Sequence, residues 1–84
     1  MTRQIVSGPQ IRAARALLGI SAVALSNLAN VNWKTIQRFE SVDGIPKTRS
    51  GTLERVITAL ETQGIEFFGK PITSPGVRLK PKDK

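Results

Sequence analysis

Apolar positions recur first at helical spacing and later, near the C-terminus, in alternation. Ile11, Ala14 and Leu18 fall at i, i+3 and i+7, one face of a first helix that ends at Gly19. Arg12 and Arg15 lie on or beside the border of that face. Ser7 and Gln10 have capping-box spacing, and Val6 and Ile11 supply the accompanying hydrophobic staple. Pro9 is tolerated in a first turn, where its missing N–H is not needed. Ser21 is the next N-cap, for a helix over residues 22–29 with Leu25, Leu28 and Ala29 on its buried face. A third helix runs from Trp33 to about Ser41, with Ile36 and Phe39 inward and Val31 packing just before it. "SVDGIPKTRS" is a loop, with Asp43-Gly44 as turn and Pro46 as breaker. Leu53, Val56, Ile57 and Leu60 then mark a fourth helix, from near Gly51 to Gly64.

After Gly64 the period changes to two. "IEFF" and "GVRLK" read as short strands, with Ile65 and Phe67 on the face of Val77 and Leu79, and Glu66 opposite Arg78 or Lys80. The link "GKPITSP" is long for a tight hairpin. Two strands alone are marginal in water, so this pair must lie against the helices or join another chain. "KPKDK" is an unstructured charged tail. The division is a 1–6 extension, a 7–64 helical domain, a 65–80 β segment and an 81–84 basic tail.

Composition narrows the chemistry. Eighty-four residues make one small domain. Without cysteine there is no disulfide or thiolate metal site, and without histidine the commonest general base and metal ligand are missing. The six carboxylates, at 40, 43, 54, 61, 66 and 83, are scattered. No enzyme, metal or cofactor is expected. No apolar run approaches the roughly 20 residues that span a bilayer, and the N-terminus lacks the apolar centre of a secretory signal. A cytoplasmic protein with no membrane partner is expected. Thirteen Lys and Arg against six Asp and Glu give +7, which suits either plain solubility or a polyanionic partner.

The three residues "NVN" join the second and third helices. Asn30 can take the left-handed conformation that ends a helix, and Asn32 is a good N-cap. A connection this short forces a large crossing angle, as in a helix-turn-helix. "ISAVALSNLANVNWKTIQRFE", Ile20 to Glu40, resembles the lambda-repressor-like (Cro/C1, XRE) helix-turn-helix family. Ser21, Leu25, Ala29, Val31, Asn32, Thr35, Ile36, Phe39 and Glu40 all fit its pattern, and "QIRAARALLG" is similar to its first helix. The likeness covers residues 10–63. Asn30 replaces the usual turn glycine, and Ala22 stands where the family often has a phosphate-clamping glutamine. With the alternating C-terminus, this implies a mainly α fold, a four-to-five-helix bundle with a short β-hairpin or strand pair.

The resemblance implies a function. A nine-residue helix is about 13 Å long at ~1.5 Å per residue, and fits a major groove about 12 Å wide. Family geometry sets the N-terminal half of the third helix against base edges, here Asn32, Trp33, Lys34, Gln37 and Arg38. Ile36 and Phe39 packed inward leave Trp33, Lys34, Gln37 and Arg38 outward. Lys34 or Arg38 suits guanine and Gln37 adenine; the alternative is a plain solvated face. Trp33 either touches DNA or folds back on Ala22 and Val23. Phosphate contacts, which position without specifying, fall to Ser21, Thr35, Ser41, Lys47 and Arg49, and to the N-termini of the second and third helices. Lys80, Lys82 and Lys84 are non-specific cations. The likeness also implies a structural ion pair between Arg15 and Glu40.

The partner expected is double-stranded DNA, a palindromic operator bound by a homodimer with half-sites about one helical turn apart. The segment from Gly64 onward is the expected dimer contact, unless both strands fold back on their own helices. The leading function is a prokaryotic or phage transcription regulator, a repressor. The alternatives are an antitoxin, which also binds a toxin protein, and a fold used for protein contacts alone.

Overall fold

The computed structural model describes residues 5–48 and 51–81. Among them lie four helices and two strands: α1 Gly8–Leu18, α2 Ala22–Ala29, α3 Trp33–Glu40, α4 Thr52–Thr62, β1 Ile65–Lys70 and β2 Ser74–Leu79. The molecule is mainly helical with a C-terminal hairpin. Arg49 and the tail positions 82–84 lie outside the described residues.

Local chemistry sets the helix ends. Ser7 Oγ accepts from the Gln10 amide, and Gln10 Oε1 accepts from the Ser7 amide at 2.9 Å, closing the capping box. Ser21 Oγ caps α2 by accepting from the Ala24 amide at 3.0 Å. α1 and α2 meet at 102°. The first residue of α1 must be small: a Cβ on Gly8 would collide with the Phe39 and Val42 carbonyl oxygens. That contact, with a 3.0 Å bond from the Gly8 amide to Gly44 O, brings the start of α1 against the end of α3.

The core draws on every helix and on β1, with Ile11, Leu25, Phe39, Leu60 and Ile65 among its largest members. Burying a side chain such as Phe39 contributes about 1.5–3 kcal/mol. Val6 also belongs to this core, although it precedes the first cap. Leu28 departs from expectation. It keeps 48% of its surface in solvent, beside an open groove between α2 and α4. The buried stripe of α2 is instead Leu25, Ser26 and Ala29. An eight-residue helix resting on α3 and α4 buries a stripe too narrow to include position 28.

β1 and β2 pair antiparallel, with Ile65 opposite Leu79, Glu66 opposite Arg78 and Phe67 opposite Val77. The pairing continues through Gly69–Pro75 to Lys70–Ser74, so only residues 71–73 form the turn. The long link read from the sequence is mostly strand. The hairpin lies on its own helices, β2 against α1 and β1 against α4. Gln10 fastens it: its Nε2 donates to Gly76 O at 3.0 Å and Phe68 O at 3.3 Å.

Candidate nucleic-acid interface

The geometry of α3 begins with the turn before it. Asn30 adopts φ 58, ψ 48, the left-handed region that Asn enters more readily than most residues. The Val31 amide donates to Ser26 O at 3.0 Å, and the Val31 side chain packs partly buried on the core. Asn32 then switches to extended backbone, and its Oδ1 accepts from the Lys34 amide at 2.8 Å. The cap uses the amide oxygen of Asn32, so the NH₂ is what this side chain can offer a base.

α3 has two sharply different faces. Ile36 and Phe39 are fully buried. Lys34, Gln37 and Arg38 are exposed, as is Asn32, while Thr35 is half-buried. Trp33 keeps 42% of its surface in solvent, and Val23 on α2 keeps 53%. Both side chains are thus partly open to solvent.

The only carboxylate of α3 is withdrawn from that outer face. Glu40 is 8% exposed and meets Arg15 in a two-pronged pair, Nε to Oε2 at 2.8 Å and Nη2 to Oε1 at 2.9 Å. Arg15 Nη1 also donates to Ile20 O at 3.0 Å. This pairing raises the Arg15 pKa above its ordinary value, chiefly through the side-chain hydrogen bond to Glu40, with burial opposing. Arg12 donates to the Glu40 carbonyl, placing a second cation at the C-terminal end of α3, where the helix dipole favours it. Two arginines of α1 thus hold the far end of α3, and its outer face carries Lys34 and Arg38 with no negative charge of its own.

The phosphate candidates differ in what they have left to donate. Ser21 is exposed, and its hydroxyl accepts in its cap, which leaves the proton free. Ser41 Oγ instead donates to Arg38 O at 2.8 Å. A phosphate oxygen only accepts, so Ser41 must break that bond to reach one. Lys47 is exposed, and its backbone carbonyl accepts from Arg38 Nη1 at 3.0 Å. Arg49 is outside the described residues. Sequence reasoning did not find Gly8, the Arg12 contact or the Gln10 link to the hairpin. The collision potential of Gly8 and both side-chain contacts join segments at least 28 residues apart, and no local pattern signals them.

Away from α3, the outer side of the hairpin carries Phe68, half exposed, with its ring over Gly76. The Arg78 guanidinium lies 5.7 Å from that ring's centre and donates to Glu66 at 2.9 Å. Among the described residues, no group of acidic side chains is arranged to hold a metal ion, and no single helix is long and apolar enough to cross a membrane. No protein-family model matches the chain, and no curated protein matches it.

Proposed function

We propose that this protein is a sequence-specific double-stranded DNA-binding regulator of the lambda-repressor-like (Cro/C1, XRE) type, acting as a repressor in a prokaryotic or phage cytoplasm. One observation carries the reading. The second member of a tightly joined helix pair presents Trp33, Lys34 and Gln37 to solvent, while its single carboxylate is buried and paired. Bare donors on a helix of this length match the acceptors of a major groove. Lys34 would donate to guanine and Gln37 would pair with adenine, with the Asn32 amide and the Trp33 ring beside them. Ser21, Thr35, Lys47 and Arg49 would set the register on phosphates. One such helix reads only a few base pairs, so a homodimer on a palindrome is expected; the hairpin, expected from the sequence as its contact, lies instead on its own helices.

The test starts from a random duplex pool. Bound sequences should converge on a two-fold motif. On that motif Lys34→Ala should cost about 1–3 kcal/mol and relax base choice at one position. Wild-type protein that retains no duplex of any composition at low ionic strength would end the proposal.

A second reading, the antitoxin, draws on the exposed Phe68, Ile72 and Leu79 of the hairpin, an apolar surface suited to a toxin protein. Co-purification from the native cell with one stoichiometric small protein would favour it.

A further inference from the structure

We propose that Arg38 is a positioning residue, one that fastens the loop after α3 so that the Lys47 ammonium is held beside the reading helix. This rests on the DNA-binding reading above, and it gives Arg38 a different role from the base contact expected of its place on α3.

Two contacts fix the Arg38 side chain. Nη1 donates to Lys47 O at 3.0 Å, and Cζ lies 5.3 Å from the centre of the Phe39 ring. Phe39 is fully buried, so the guanidinium leans on a ring anchored in the core. A cation over an aromatic face is itself an attractive arrangement. The bond to the loop occupies Nη1 and, with the ring contact, sets the direction of the whole fork; Nε and Nη2 are the donors it leaves over, the same division that Arg15 shows between Ile20 O and Glu40.

The loop has reason to need this fastening. Gly44 O is held by the Gly8 amide at 3.0 Å, and Pro46 is buried. Lys47 is the next residue out, with its own side chain in solvent. Its carbonyl accepts from Arg38 Nη1, which ties the chain just beyond Pro46 back to α3. Arg38 grips the backbone of residue 47, not its side chain. Removing the ammonium by Lys47→Ala therefore leaves the fastening intact, while Arg38→Ala releases the loop and leaves the ammonium attached to a looser chain. Charge and placement can be varied separately.

Four proteins suffice: wild type, Arg38→Ala, Lys47→Ala and the double variant. The probe is a duplex of about 30 base pairs recovered from a random pool, long enough for two half-sites one turn apart. Both substitutions are at exposed positions, and far-UV circular dichroism checks the fold. In the free proteins, the backbone heteronuclear NOE of residue 47 should fall in Arg38→Ala and stay at the wild-type value in Lys47→Ala. On DNA, Lys47→Ala should flatten the slope of log affinity against log salt by about 0.9, the loss of one phosphate contact. Arg38→Ala should weaken binding with base preference unchanged at every position. The double variant should bind within about twofold of Arg38→Ala alone, because contacting residues are not additive.

An unchanged NOE in Arg38→Ala overturns the proposal. So does a double variant that multiplies the two single losses, or a flattened preference at one base position in Arg38→Ala, which would make Arg38 a reader. If wild-type protein holds no duplex, the DNA reading fails by that result, and the NOE still decides whether Arg38 fastens the loop.

Discussion

Glu40 illustrates how a single ion pair can take the one carboxylate of α3 off its exposed face. Left free at the end of α3, its charge would repel phosphate and loosen the helix. Folded, it sits under Arg15 with both carboxylate oxygens engaged. Glu40→Gln keeps the shape but removes the charge from a pair whose arginine is partly exposed. A hydrogen bond to a charged group contributes about 1.5–3 kcal/mol, and solvent screening places this one in the lower half of that range. Urea denaturation should show that loss. Leu25 and Leu28 make a second residue-scale test. Leu25→Ala empties a fully buried position and should cost about 2–5 kcal/mol. Leu28→Gln alters a half-exposed one and should cost under about 1 kcal/mol. Equal losses would restore Leu28 to the core, where its spacing on α2 had placed it.

At the scale of elements, the hairpin depends on α1. A two-stranded ribbon is marginal alone, and here its inner side rests on helices while Gln10 donates into two strand carbonyls. Gln10→Glu separates two levels of organisation. It keeps a capping box, since Ser-x-x-Glu caps as Ser-x-x-Gln does. It also replaces the donor with oxygens that face Phe68 O and Gly76 O. The local rule therefore expects little change, whereas the tertiary contact expects a loss of about 1–3 kcal/mol. Hydrogen exchange should show β1 and β2 losing protection while the helix amides keep theirs. The turn between α2 and α3 is a second element-scale case. Asn30 holds a left-handed conformation that costs an ordinary L-residue roughly 1–2 kcal/mol. Asn30→Ala should lower stability by about 1 kcal/mol and loosen the angle at which α3 is presented.

For the whole molecule the governing quantity is charge. On the proposed DNA reading, a net +7 on 84 residues makes affinity for mixed-sequence DNA fall steeply with salt, by about 0.9 in log–log slope for each phosphate engaged. Lys34→Ala should leave most of that slope in place while changing base choice, because base contacts specify and phosphate contacts position. Sedimentation of the free chain and of its complex would show whether two copies assemble in solution or on the duplex.

Much of this molecule is written locally. The capping box, the caps at Ser21 and Asn32, the left-handed Asn30, the inward Ile36 and Phe39, and the shared face of Ile65 and Phe67 all follow from residues a few positions apart or from simple alternation. Backbone hydrogen bonding and side-chain period act over that range, so the chain order alone fixes them. Position 28, the need for glycine at position 8 and the second use of Gln10 were settled only when distant segments met, and the hairpin register and the Arg38 bond to Lys47 O only when the chain turned back on itself. Which donor is still free, and which atom a Cβ would strike, depends on neighbours that no sequence window contains.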